Sequence, residues 1–141
     1  MTKILVHACC AHCLGKLLAA LETAPEGWAP VVFWWNPNIH PLIEFRRRLK
    51  AVKMLVERAR LPLIADESYG LVEFCRAVHG HEAAPARCGR CYALRLDRAA
   101  QVARVISRVS SSKLSRKISC TAAKISCSVI IGYSFILPLI W

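Results

Sequence analysis

The tightest constraint in this sequence is an alternation within its first hundred residues. Three short, β-tolerant apolar runs stand at Lys3–Ala8 (KILVHA), Pro30–Trp35 (PVVFWW) and Leu61–Ala65 (LPLIA). Pro62 either makes the third an edge strand or sits at its start. Between and after them, apolar residues recur every three or four positions, the period of a helix with one buried face. Leu14–Glu22 places Leu14, Leu17, Leu18 and Leu21 on one side. Leu42–Arg60 places Leu42, Phe45, Leu49, Val52, Val56 and Ala59 on a stripe, with Arg46, Arg47, Lys50 and Lys53 off it. Tyr69–Val78 and Tyr92–Arg104 are further helices by the same reading, and Cys75 falls on the expected buried stripe of the first, with Val72 and Val78. Strand and helix alternating at this spacing predict right-handed βαβ units, hence an α/β fold with a parallel sheet and flanking helices. Ligands of such sheets sit beyond the carboxyl ends of the strands.

That rule directs attention to the cysteines. Eight in 141 residues is a high count, and they come in groups: Cys9, Cys10 and Cys13; Cys75, Cys88 and Cys91; Cys120 and Cys127. Grouping of this kind points to metal chemistry in a reducing compartment more than to a disulfide framework. The first strand runs into His7-Ala8-Cys9-Cys10-Ala11-His12-Cys13, where a helix begins, and helix N-termini favour thiolates and anions. In a regular strand Cys9 and Cys10 would face opposite ways, but in a strand-to-helix turn their sulfurs can converge. Cys88-Gly89-Arg90-Cys91 is a second pair, its spacing suited to one metal or cluster, with Gly89 read as relieving backbone strain. Two pairs make four thiolates, a set that fits zinc or an iron–sulfur cluster; redox or buried thiols are the plainer alternative. Cys13 is either a spare thiol near the site or the start of a buried helix face.

The second strand runs into Asn36-Pro37-Asn38-Ile39-His40-Pro41, which the same rule places at the same edge. Asn36, Asn38 and His40 are candidate substrate-orienting groups, although Asn-Pro-Asn is also an ordinary turn sequence. His7 and His12 flank the thiols, either supporting the ligands or simply exposed. Arg46-Arg47-Arg48 is either a solvated helix face or a set of phosphate partners. Trp34, Trp35 and Tyr92 are able to stack on a base, but one of the tryptophans must be core if the strand is buried. Tyr92, one residue beyond the second cysteine pair, is the better candidate for stacking or proton donation.

Charge divides the chain near residue 104. The sequence holds 20 Lys and Arg against nine Asp and Glu, a net charge of +11. Five of those bases (Arg108, Lys113, Arg116, Lys117 and Lys124) and none of the acids lie in 105–141, leaving 1–104 with a net +6. The excess points to an anionic partner and says nothing of the fold. The two stretches read as an N-terminal domain portion, 1–104, and an atypical basic, Ser-rich tail, 105–141, out of frame with the domain or foreign to it; the plainer alternative is a basic linker followed by a membrane-touching or core strand. No stretch reaches the ~20 apolar residues of a spanning helix, and the first residues do not read as a signal peptide. The expectation is a cytoplasmic protein without stable membrane association.

Three strings together are more specific than any one: HACCAHC after the first strand, WNPNIHPLIEFRRRL after the second, and RCGRCYALRLDRAA at the last helix. In order and spacing they closely resemble the epoxyqueuosine reductase family of the QueH type across residues 3–104. The resemblance implies a Rossmann-like fold of the adenine-nucleotide hydrolase-like kind and a 4Fe–4S cluster held by Cys9, Cys10, Cys88 and Cys91. It implies cobalamin-independent reduction of the epoxide of epoxyqueuosine in tRNA, the last step of queuosine biosynthesis. The partners implied are a tRNA anticodon stem-loop carrying epoxyqueuosine and an electron donor that the sequence does not identify. On this reading His40 and Tyr92 are catalytic candidates, and Asn36, Asn38 and Arg46 substrate-binding ones.

The family continues with further strand–helix units and a C-terminal redox-active cysteine pair that 105–141 does not match. The sheet is therefore expected to be incomplete at its C-terminal end and the chain poorly active. Two rivals remain. One is a structural zinc module that binds RNA, its metal held by the same four cysteines. The other is a nucleotide-dependent tRNA-thiolating enzyme, which wants a Gly/Ser-rich phosphate loop where this chain has CCAHCLG.

Overall fold

The computed structural model describes residues 2–23, 28–114, 128–131 and 135–137. Its elements follow the alternation: β1 (Thr2–His7), α1 (Ala11–Glu22), β2 (Trp28–Trp34), α2 (Leu42–Arg58), β3 (Leu63–Ala65), α3 (Leu71–Val78), α4 (Ala86–Leu114), β4 (Ser128–Ile131) and β5 (Phe135–Leu137). The strands form one sheet in the order β3-β2-β1-β4-β5. β1 pairs parallel with both β2 and β4, β2 pairs parallel with β3, and β5 closes the far edge antiparallel to β4. Here the α/β expectation holds.

β1 is the centre of the sheet, and its composition explains why. Ile4, Leu5 and Val6 are all buried, the pattern of a parallel strand covered on both faces. Alternation along β1 and β2 then sorts two cores. Val6, Ala8, Val32 and Trp34 meet Leu14 of α1 and Phe45, Leu49, Val52 and Val56 of α2 on one face. Leu5, Phe33 and Trp35 meet Ala99 and Ala103 of α4 on the other. Both tryptophans are therefore core, one per face, and neither is free to stack on a base. Small alanines on α4 let that helix lie close to the sheet where Phe33 and Trp35 supply the bulk.

β3 is an edge strand with Pro62 just before its first residue, where the proline carbonyl accepts from the Val32 N–H at 2.9 Å. The α2 stripe holds for Phe45, Leu49, Val52 and Val56, with Leu42 half-buried and Arg46, Arg47, Lys50 and Lys53 outward, but the helix ends at Arg58, so Ala59 is its exposed C-cap and not part of the buried face. α3 departs from expectation. It starts two residues late, and Phe74, Ala77 and Val78 form its inner side, while Val72 and Cys75 are exposed. Gly70 caps it, pressed so closely on the Asn-Pro-Asn turn that a Cβ there would come within 2.6 Å of Pro37 Cβ.

α4 shows the largest difference. It spans 29 residues, opening six residues before the expected start and continuing ten beyond the expected end. The opening turn is set by Arg87 and Gly89 N–H groups donating to the carbonyls of Ala83 and Pro85. The Cys88–Cys91 pair is thus helical, and Gly89 relieves no strain, since a Cβ there would meet nothing within 4 Å. The helix passes through residue 104 without a break, and 128–131 and 135–137 supply two strands of the sheet. Among the described residues no helix is long and apolar enough to cross a membrane. Cys120 and Cys127 lie outside the described residues.

Candidate metal centre and adjoining cleft

Everything of chemical interest gathers where β1 and β2 end. The Ala8 N–H extends the β-ladder by donating to the Phe33 carbonyl at 2.9 Å. The chain then turns through Cys9 and Cys10 into α1. Cys10 is the helix N-cap: its sulfur accepts from the Cys13 N–H at 3.4 Å, the place a Ser or Asp oxygen usually takes. This turn brings the sulfurs of Cys9, Cys10 and Cys13 within 4.8 Å of one another, a triad able to hold a metal ion. Of the two roles open to Cys13, the structure selects the first, for its thiol stands with the other two.

The three thiols are not equivalent. Partial burial pushes Cys10 upward, but hydrogen bonds from the Cys13 backbone and side chain, from Cys9 and from the His12 N–H outweigh it and leave Cys10 below the ordinary thiol range. Cys13, donating to Cys10 and partly buried beside Cys9, is pushed up to about 12. Cys9 is raised by burial and by the Cys10 charge, with Arg95 working against both. Cys10 is thus the most readily ionised of the three, the first to lose its proton to an incoming metal.

The loops around the triad are tied to one another. Asn36 is 1% exposed and spends its Nδ2 on the Ala8 carbonyl at 2.8 Å. His7 is buried at the end of β1, and its Nε2 donates to the Trp35 carbonyl at 2.9 Å. Burial is the main reason its pKa falls to about 4, so the ring is neutral. His12 is exposed. Asn36, expected as a substrate contact, ties the β1 and β2 loops together from a buried position, and its Oδ1 has no partner among the described residues.

Beside this edge lies a cleft of about 360 Å³, lined by Asn38 from the β2 loop, Phe74 of α3, and Arg87, Cys88, Cys91, Tyr92 and Arg95 of α4. Cys88 and Cys91 share the α4 wall one turn apart. Tyr92 is about half exposed, with the Arg95 guanidinium 5.1 Å from its ring centroid. Arg95 Nε also donates to the Cys91 carbonyl at 3.4 Å. Its charge acts on Cys9 and on His7 as well, so Arg95 is the common neighbour of the triad and the second cysteine pair. Cys88 and Cys91 are not within the 4.8 Å group formed by the other three thiols.

Of the remaining expected residues, Asn38 and Tyr92 line the cleft. His40 does not: its ring is tilted against Phe74 with centroids 5.7 Å apart, one layer behind the wall. Arg46 points to solvent from α2, whereas Arg48 of the same triplet pairs with Glu44 at 2.7 Å and has its pKa raised by that pairing and, in smaller part, by the Cys10 and Cys9 charges. Phe74, Arg87, Arg95 and Tyr69 were not singled out by the sequence. Arg95 carried the nearest thing to a signal, one helical turn beyond Cys91 on the same face.

A parallel α/β sheet with a thiol triad at a strand-to-helix turn, beside a second cysteine pair on another helix, makes this an α/β protein with a cysteine site able to hold a metal ion. The family model described as "Epoxyqueuosine reductase QueH" matches residues 4–125, and the chain belongs to that family. It is 36% identical over 101 residues to the epoxyqueuosine reductase QueH of Dehalococcoides mccartyi, covering 72% of this chain and 53% of that protein. To that of Histophilus somni it is 34% identical over 104 residues (72% and 42%), and to that of Thermotoga maritima 32% over 110 residues (74% and 54%). The chain spans about half the length of these relatives. The family match runs 21 residues past position 104, to the end of α4 and beyond.

Proposed function

We propose that this chain carries the cluster-binding and substrate-facing part of an epoxyqueuosine reductase, acting on the anticodon stem-loop of tRNA in the cytoplasm. The observation that carries the reading is the shared edge: three sulfurs within 4.8 Å at the end of β1, next to a cleft with two more sulfurs on α4. An all-thiol donor set suits a 4Fe–4S cluster. Cys9 and Cys10 with Cys88 and Cys91 are the ligands on this reading, with Cys13 within reach of the first pair. When bound, the cluster supplies electrons one at a time from an external donor. Two electrons and two protons convert the epoxide C–O–C to a carbon–carbon double bond and water.

The chain's own residues then bind and orient. The Tyr92 phenol stands at the cleft wall with the Arg95 guanidinium against its ring, where its O–H is offered to the departing oxygen. Asn38 offers a carboxamide, whose Oδ1 is buried and has no partner among the described residues. His40 supplies a second ionisable ring behind Phe74. Arg87 and Arg95 carry the positive charge that an RNA phosphate needs, and Arg46 extends it along α2. On this reading the described residues beyond 104 supply helix length (to Leu114) and two strands of the sheet (Ser128–Ile131 and Phe135–Leu137).

The test is anaerobic incubation of the 141-residue chain, reconstituted with iron and sulfide, with tRNA carrying epoxyqueuosine and a chemical reductant. Slow conversion to queuosine by the wild type, well below that of a full-length relative and lost on Cys88→Ala or Cys91→Ala, is the expected result. Conversion that is indifferent to both substitutions would refute the ligand assignment.

A further inference from the structure

The cleft has one aromatic lining residue that none of the roles above uses. Phe74 of α3 is half-buried and lines it together with the guanidinium, phenol and thiol groups of α4. Its ring stands at the end of a chain of rings that runs into the core. His40 is tilted against it with centroids 5.7 Å apart, and Tyr69 is edge-on to His40 at 5.2 Å and hydrogen-bonded to its Nδ1 at 2.8 Å. Tyr69 packs in turn on Phe45, and Phe45 on the buried Trp34, both at 5.8 Å. α3 itself is seated on the β2 loop by the close approach of Gly70 to Pro37. Phe74 is thus held from behind and brings no polar atom of its own to the cleft.

We infer that Phe74 is a specificity-determining residue, the plate on which the cleft stacks the purine-like base of one unpaired nucleotide. Size makes the first argument. A cleft of about 360 Å³ is near the lower end for a ligand site, about 300 Å³, so it admits a single base with its side group and not a paired duplex. The base must therefore be turned out of the RNA, and turned-out bases are held by stacking on aromatic rings. Elimination makes the second. Trp34, Trp35 and Phe45 are core, Tyr69 is bonded to His40, and Tyr92 has the Arg95 guanidinium on its ring. Phe74 is left with packing as its one contribution to the cleft. Asn38 lines the same cleft with a carboxamide whose Oδ1 has no partner among the described residues, an acceptor for an N–H on the edge of a base. With the base on Phe74, the reacting group falls to the α4 side, where Cys88 and Cys91 stand; this last clause rests on the reductase reading above.

The experiment is binding of fluorescently labelled anticodon stem-loops to the reconstituted 141-residue chain, without reductant so that nothing turns over. One stem-loop carries epoxyqueuosine at the wobble position and the other is abasic there. Phe74→Leu, which keeps an apolar contact on His40, should weaken binding of the base-bearing RNA about tenfold and leave binding of the abasic RNA unchanged. Phe74→Trp should keep the wild-type affinity for both. A loss shared equally by the two RNAs would make Phe74 a merely structural residue and overturn the inference, as would a variant that loses affinity for neither. Should Phe74→Leu fail to fold, Phe74→Met carries the same expectation. The readout is base-dependent affinity and not conversion, so it can fail while cysteine-dependent reduction stands, and the reverse.

Discussion

Cys10 does two things with one sulfur: it caps α1 and it stands in the thiol triad. The two roles separate by substitution. Ser is a good N-cap but a poor soft-metal ligand, whereas Ala is neither. Cys10→Ser should therefore unfold within about 0.5 kcal/mol of the wild type in the metal-free protein, and Cys10→Ala should be less stable by about 1 kcal/mol. Both should lose bound metal. Denaturant unfolding of the apo-protein beside metal content of the reconstituted protein checks the pair of statements. Equal stability of the two variants would remove the capping role. At this scale the sequence was informative about residue type and less so about orientation. The grouping of Cys9 with Cys10 was legible because two adjacent thiols at a strand-to-helix turn have few other uses. The addition of Cys13 was not, because its membership depends on the sulfur of Cys10 taking the cap. Likewise the Asn-Pro-Asn turn was plain, yet nothing in it showed that Asn36 would be spent on the Ala8 carbonyl.

Among the elements, α4 does most to build the site. Its first three turns bring Cys88, Cys91, Tyr92 and Arg95 to the cleft, and its Ala99 and Ala103 seat it on the sheet. Arg98 ties it to the end of β3: the guanidinium meets Asp66 Oδ2 at 3.3 Å and lies 5.7 Å from the Trp35 ring centroid. The Asp66 carboxyl is held below the usual carboxylate range, first by the Ser68 hydroxyl and then by the Ser68 N–H and Arg98. A depressed folded-state pKa stabilises the fold above the unfolded carboxylate value, near about 3.9, and that share is lost as pH falls through the folded value. Asp66→Asn should thus lower stability at neutral pH by about 0.2–1 kcal/mol, as expected for a part-exposed pair. It should also flatten the acid limb of a stability-against-pH curve. A steeper acid limb in the variant would contradict the assignment. The helix itself was visible in the sequence only from Tyr92, since CGRC reads first as a ligand pair and Gly89 discourages a helical reading. Packing on the sheet and the bonds to Ala83 and Pro85 override that propensity. α3 differs from its pattern for another reason. Eight residues are too few for periodicity to say which side faces in, and the contact with the Asn-Pro-Asn turn decides it.

For the whole molecule, the order β3-β2-β1-β4-β5 sets β1 at the centre and puts the ends of β1 and β2 side by side. Both loops that bear the chemistry then meet, as the rule for parallel sheets requires. The core was legible because the buried strands are continuous apolar runs and α2 keeps a clean stripe. The two strands from 128–131 and 135–137 were not, because short apolar segments in a Ser-rich context carry no period of their own and gain their place by pairing with β1 and with each other. The charge boundary at 104 was real in composition but fell inside a helix. Whether this assembly holds an iron–sulfur cluster is decided by iron, acid-labile sulfide and zinc in the 141-residue protein purified without oxygen. About four irons and four sulfides per chain are expected, falling on substitution of Cys9, Cys10, Cys88 or Cys91. Zinc in a one-to-one ratio, with no sulfide, would overturn the cluster assignment and make the site a structural zinc module.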